Sequence, residues 1–318
     1  MAPRLLAKAL DTALDRTVVP GFSKIGYAVR RHLPTWPADP APGVLDGKHV
    51  VVTGATSGLG EATAYQLSRL GAHVHLVVRN AEKAARIAAT LPGPSTTWVC
   101  DLGDLDSVRE CAAALLADGP PLDAIVHNAG AMPATRTESP QGHELSMSIH
   151  VLGPVLLTDL LLPKLAGREA RVVLVTSGGM YAQALPVEDP DYERGEYAPP
   201  TAYARSKRTQ VELLPVLGER WAPADIAVYV MHPGWAATPG VTESLPTFDK
   251  LMGPILRDAD QGADTTTWLV GAQPRPRGGG LWMDRAERPT AYFGRNGATS
   301  DERQRMWQWV ADAAGVTP

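Results

Sequence analysis

The stretch His49-Val-Val-Val-Thr-Gly-Ala-Thr-Ser-Gly-Leu-Gly60 decides how this chain is read. After His49 come four apolar or β-branched residues, the pattern of a short strand buried on both faces of a parallel sheet. A glycine turn follows. A helix should then run through Ala62, Leu67 and Leu70 and end at Gly71. Glycine lets the backbone turn tightly and approach a phosphate, and the next helix opens with unpaired N–H groups and partial positive charge. Glycines placed between a strand and a helix point to a dinucleotide site, although such a turn can also be a plain connection. The candidate contacts are Gly54, Thr56, Ser57, Gly58, Leu59 and Gly60.

Working outward, strands and helices alternate. Strands are expected at His73–Val78, up to Cys100, at Asp123–His127, Arg171–Thr176, Ile226–His232 and Gly280–Met283. Helices are expected over residues 81–91, Val108–Leu116, a long one over about 142–165, then about 202–219, 260–271 and 300–314. Residues 235–258 read as an irregular or helical flap. This alternation predicts the α/β class, a doubly wound parallel sheet with helices on both faces. It forms one domain over residues 46–318 behind a helical extension at 1–45. No internal repeat or low-complexity tract occurs.

In the extension, Leu6, Leu10, Ala13 and Leu14 recur at helical spacing, with Asp11, Thr12, Asp15 and Arg16 opposite. This reads as a helix docked on the domain. Peripheral contact with a membrane surface through residues 1–30 stays open, and the mixed charges weigh against it. Pro34–Pro42 reads as a linker. The 318 residues are 44% hydrophobic and 20% charged, which suits a globular domain. Thirty basic and 34 acidic residues give a net charge of −4, and no long basic run suggests nucleic acid. Cys100 and Cys111 form neither a CxxC pair nor a metal-ligand cluster, so no metal is expected and a cytoplasmic setting fits. Lys8, Asp11 and Asp15 break any secretory-signal pattern at the start. No stretch reaches the roughly 18 apolar residues of a membrane span.

The remaining site candidates lie at strand ends, where open parallel sheets bind ligands. The second strand ends in Val78-Arg79-Asn80, with no acid for a ribose 2′-hydroxyl. Arg79 could instead pair with a 2′-phosphate, which favours NADP(H) over NAD. Asp101-Leu102 follows the third strand, where a carboxylate could meet an adenine amino group or equally cap a helix. Asn128, Ala129 and Gly130 follow the fourth and are small enough for a cofactor to lie against them. Tyr203-Ala-Arg-Ser-Lys207 puts a phenol and an ammonium on one helix face, where the lysine would favour the phenolate and so ready it for proton transfer. Ser177 closes a strand and could bond a substrate carbonyl. Pro233-Gly234-Trp235-Ala236-Ala237-Thr238 follows the sixth strand, and its backbone and Thr238 could hold a carboxamide.

Together, TGATSGLG, Asn128–Gly130, Ser177, YARSK and HPGWAAT resemble the short-chain dehydrogenase/reductase family over roughly residues 45–285, within a branch similar to the retinol dehydrogenases. The resemblance implies a Rossmann-like fold, a nicotinamide cofactor and a serine–tyrosine–lysine mechanism. It gives Lys207 the nicotinamide ribose and the lowering of the phenol pKa, Ser177 the substrate oxygen, and Tyr203 the proton. It also places His150 where the family has a catalytic asparagine that supports a water-linked proton path. A histidine there could hold a water, donate a hydrogen bond or disrupt the relay.

The expectation is therefore hydride transfer between NADP(H) and a lipophilic small-molecule carbonyl or alcohol. The flap residues Val241, Leu245, Phe248, Leu251, Met252 and Ile255 would form an apolar lid, with Met180 and Tyr181 adding apolar surface. The acids Glu188, Asp189, Asp191, Glu193 and Glu196 would border the entrance. A non-catalytic NADP-binding scaffold or sensor stays open because of His150. A sugar-nucleotide epimerase or dehydratase would need a larger C-terminal domain. The apolar helix at Val155–Leu162 could pair with a copy of itself as a homodimer or pack on the sheet.

Overall fold

The computed structural model describes residues 2–237, 250, 252–292 and 296–317. Their strands are β1 His49–Thr53, β2 His73–Val78, β3 Ser95–Val99, β4 Ala124–His127, β5 Arg171–Val175, β6 Ala227–Met231, β7 Leu281–Met283 and β8 Ala286–Arg288. They form one sheet in the order β3-β2-β1-β4-β5-β6-β7-β8. All neighbours pair in parallel except β7 and β8. The sheet is doubly wound, as the alternation predicts. The helices are α1 Ala2–Arg16, α2 Val18–Phe22, α3 Lys24–Arg31, α4 Gly58–Arg69, α5 Ala81–Ala88, α6 Leu105–Asp118, α7 Leu145–Met147, α8 Gly153–Leu160 and α9 Leu162–Leu165. They continue with α10 Pro199–Glu212, α11 Leu214–Trp221, α12 Ala259–Gly271 and α13 Ser300–Ala314.

The apolar strand runs are explained by their two buried faces. Val51, Ile125, Val172 and Val228 pack under Val108, Leu156 and Val310 of α6, α8 and α13. Val50, Val52, Val126 and Val173 pack on the other face against Leu67 and Leu269 of α4 and α12. Each fully buried Val or Leu contributes about 1.5–3 kcal/mol. Val155, Leu156, Leu157 and Leu161 are buried in this same core.

The expected long helix over 142–165 is instead broken. Between α7 and α8, residues Ser148–Leu152 form a π turn. The reason is Pro154, which has no N–H to donate to the carbonyl of His150 four residues back. That carbonyl accepts from Gln210 Nε2 of α10 at 2.8 Å instead. The apolar periodicity runs through the break and conceals it.

The extension docks, but not through its leucines. Ala7 and Asp15 face inward at 4% exposure, whereas Leu5, Leu6 and Leu10 are 67%, 73% and 43% exposed. The acids turn inward because buried arginines wait for them. Asp11 pairs with Arg30 at 2.7 Å and Arg288 at 2.9 Å, and Tyr292 OH donates to Asp15 at 2.8 Å. Arg30 and Arg257 both reach Asp284 at 2.6 Å. Burial would raise the Asp284 carboxyl, but Arg257 and Arg30 prevail and hold it below the ordinary range. Asp284 and Arg285, both at positive φ, form the two-residue turn between β7 and β8. The stretch read as a linker is also packed: Trp36 meets Tyr27 edge-on at 5.6 Å, and Ala38 O accepts from Trp268.

Buried neutral histidines make the fold sensitive to acid. His75 accepts from Trp98 Nε1 at 3.0 Å, lies 3.0 Å from His49 Nδ1, and stacks on His73. Burial, with His73 and His49 adding to it, depresses His75 to about 3. Burial does the same to His127, and to His232, where Arg257 assists. The unfolded chain protonates these groups below about pH 6.5 while the folded chain does not. Their stability contribution is therefore complete above that pH and is lost as pH falls toward the folded values. Each histidine should cost about 2 kcal/mol by pH 5. Thermal unfolding should show the melting temperature falling steadily from pH 7 to pH 5. His127→Gln, which can still bond Thr158, should flatten the slope by about one proton's worth. A flat profile in the unsubstituted protein would contradict the assignment.

Candidate functional site

The C-terminal ends of β1, β2, β4, β5 and β6 surround one cleft of about 560 Å3. It lies where the strand order reverses between β1 and β4, the usual ligand position in such sheets.

Gly54 ends β1 at φ +66°, and a Cβ there would lie 2.7 Å from the Ala129 Cα. Thr56, Ser57, Gly58 and Leu59 line the cleft at the start of α4. Ser57 makes no side-chain cap bond, which leaves the first amides of α4 for an anion. Gly60 does not line the cleft. A Cβ there would come 2.3 Å from Gly54 O, so this glycine lets α4 pack on the turn. Asn128, Ala129 and Gly130 line the opposite wall. The Asn128 amide donates to Thr53 O at 3.1 Å and Gly54 O at 3.4 Å, so it braces the glycine turn.

Arg79 lines the cleft with a side chain 70% exposed, 4.0 Å from Asp101. Lys83, in the first turn of α5, lines it too and escaped the sequence reading. Asp101 and Leu102 line it as expected. Asp101 Oδ1 accepts from Gly103 N–H at 2.8 Å, and the α6 cap is Asp104 instead. Pro233 and Gly234 line the β6 side, while Thr238 lies outside the described residues. A glycine turn, a free helix N-terminus and two cations beyond β2 fit a dinucleotide with an extra phosphate.

Ser177, Tyr203 and Lys207 all line this cleft. Ser177 Oγ accepts from Gly179 N–H at 3.4 Å. Lys207 Nζ donates to Val175 O at 2.8 Å and lies 5.5 Å from the Tyr203 ring centre. Burial raises the phenol to about 12, with the nearby Ser177 hydroxyl drawing it partly down. Burial lowers Lys207 to about 7. Desolvation dominates at the phenol, while Lys207 lies near its ring and bonds a backbone carbonyl.

His150 does not line the cleft. Its ring meets Tyr203 edge-on at 5.1 Å, and both nitrogens are engaged. Ala131 N–H donates to Nε2 at 3.1 Å, so the proton sits on Nδ1 and is donated to Ser206 Oγ at 2.7 Å. Ser206 in turn donates to Tyr203 O at 2.8 Å. Burial, then Lys207, keeps His150 neutral. Its bond to Ser206 ties the π turn to the helix bearing Tyr203. Ser206 was legible only as a spacer within YARSK.

The apolar walls differ from expectation. Met132, Ile149, Pro200, Trp235 and Ala236 supply them. Met180 is buried beneath Arg208, and Tyr181 packs on Phe22 and Tyr292. The short helical turn after Ser177 directs Gly179 to the cleft in their place. The five acids do not border the cleft. Asp189 meets Arg205, Asp191 meets His143 and Glu188 meets Arg305, so they stitch the long loop to its neighbours. Of the flap, Val241, Leu245, Phe248 and Leu251 lie outside the described residues. Met252 and Ile255 do not reach the cleft.

Residues 48–190 match the family described as short chain dehydrogenase. The chain is 35% identical over 282 residues to dehydrogenase/reductase SDR family member 12 of Bos taurus, covering 85% of this chain and 87% of that protein. It is 30% identical to human retinol dehydrogenase 12, covering 86% and 88%. Among solved structures, an uncharacterised protein from Mycobacterium paratuberculosis superposes with a TM-score of 0.71 at 27% identity, covering 87% of this chain and 98% of that one. A short chain dehydrogenase from Shigella flexneri, complexed with NADP, gives 0.61 at 25% identity, covering 77% and 100%. With the sheet order, the glycine turn and the Ser177–Tyr203–Lys207 arrangement already in place, these likenesses make the chain a member of the short-chain dehydrogenase/reductase family.

Proposed function

We propose that this chain is an NADP(H)-dependent oxidoreductase acting on a lipophilic carbonyl or alcohol, with Tyr203 as the proton donor and acceptor. The observation that carries this reading is the convergence of Ser177, Tyr203 and Lys207 on the cleft that also holds the glycine turn, Arg79 and Lys83. NADP(H) bound there would supply or accept the hydride at the substrate carbon. Gly54, the α4 amides and Gly58 would hold its phosphates, Arg79 and Lys83 its 2′-phosphate, and Lys207 its nicotinamide ribose.

The protein's share is positioning and the proton. Ser177 orients the substrate oxygen beside Tyr203. At neutral pH a phenol raised to about 12 is protonated, the form that gives its proton to oxygen as a carbonyl becomes an alcohol. The phenolate left behind is reprotonated from water. Met132, Ile149, Pro200 and Trp235 give the cleft apolar surface, which suits a lipophilic ketone or aldehyde. Cys100 and Cys111 are buried free thiols, as a reducing compartment keeps them.

Tyr203→Phe should bind NADPH nearly as well as the unsubstituted protein, by fluorescence titration, and turn over about 10²–10⁴-fold more slowly. Unchanged turnover would remove Tyr203 from the chemistry. Arg79→Glu should weaken NADPH about 10–100-fold while leaving NADH nearly untouched. An equal loss of both cofactors would show that Arg79 does not read the 2′-phosphate.

A further inference from the structure

We propose that the N-terminal extension is a docking surface for an anionic phospholipid bilayer, separate from the cleft and its chemistry. Six of the eight exposed large apolar side chains among the described residues fall between Leu5 and Ile25: Leu5, Leu6, Leu10, Val18, Val19 and Ile25. The stripe of α1 that should have met the protein core faces outward, because Asp11 and Asp15 have taken the inward face to meet Arg30, Arg288 and Tyr292. A costly apolar exposure is thereby held in place by buried polar contacts.

The charges identify the occupant. Arg4, Lys8, Arg16, Lys24 and Arg31 are all exposed on residues 4–31, and both acids of that segment are turned inward. The mixed charge that counts against a membrane in the sequence becomes one-signed at the surface. Leucines flanked by cations match the boundary between acyl chains and anionic headgroups. A hollow of about 640 Å3 lies between Arg4, Leu5 and Lys8 on one side and Trp36 on the other, where a headgroup phosphate could sit. A second copy fits poorly, since a self-complementary contact would set these cations against one another. No helix among the described residues is long and apolar enough to cross a membrane, so the contact is with one face of the bilayer.

The surface adjoins the cleft. Phe22 O accepts from Trp235 N–H at 2.8 Å, its ring meets Trp235 and His232 edge-on, and Trp235 lines the cleft. A docked extension therefore brings the cleft to the membrane.

The test is co-sedimentation of the full chain with phosphatidylcholine vesicles, with and without phosphatidylserine. Binding should need phosphatidylserine and fall with added salt. It should weaken about tenfold or more in Leu6→Asp/Leu10→Asp and in Arg4→Glu/Lys8→Glu. These side chains are exposed, so circular dichroism should be unchanged. Should a variant misfold, the salt series on the unsubstituted chain still decides. Failure to sediment with either vesicle overturns the proposal, as does salt-insensitive binding to phosphatidylcholine alone. Self-association that Leu6→Asp/Leu10→Asp abolishes, without vesicle binding, would assign the face to a second copy instead. The readout involves no turnover, so it stands apart from the reading of the cleft.

Discussion

The site depends on the close contact between the end of β1 and the end of β4. Thr53 Oγ1 accepts from Asn128 N–H and Ala129 N–H, both at 3.0 Å, while the Asn128 amide donates back to the β1 turn. This exchange satisfies buried backbone groups that a parallel sheet leaves unpaired at its edge. It also holds Gly54 so near Ala129 that no side chain could stand there. With the two strand ends clamped, α4 begins at a fixed point and directs its free amides into the cleft. Loops from the neighbouring strands gather at the same edge because the strands are parallel.

A second constraint comes from Pro154. By withholding one N–H it opens the π turn, frees the His150 carbonyl for Gln210, and turns the imidazole toward Ser206 and the Tyr203 ring. The helix bearing Tyr203 and Lys207 is thus anchored to its neighbour by two hydrogen bonds at one residue, His150 donating to Ser206 and accepting from Gln210. Both ring nitrogens of His150 are engaged, one of them with Ser206, which bonds the Tyr203 carbonyl. Gly130 permits this arrangement, since a Cβ there would stand 3.0 Å from His150 Nε2.

The parallel strands were legible because burial on both faces demands unbroken apolar runs, and Val50–Val52 or Val172–Val175 allow little else. β8 was not, because Ala286–Arg288 is a charged edge strand of three residues that exists through its turn with β7. Strand-end residues such as Arg79, Asp101 and Ser177 could be placed from sequence because the topology sends them to one edge. Lys83 and Met132 could not, since no motif marks them and they reach the cleft only through packing. The orientation of α1 was hidden for a similar reason. One partner of Asp11 is Arg288, far along the chain, and helical periodicity alone favours burying leucines.

The most direct measurement of the central claim uses NADPH deuterated at the transferable position, mixed with the purified protein and a panel of lipophilic ketones and aldehydes. The account predicts cofactor consumption with a primary isotope effect and deuterium on the carbinol carbon of the product. Products lacking the label, or no consumption and no binding of NADPH, would contradict it.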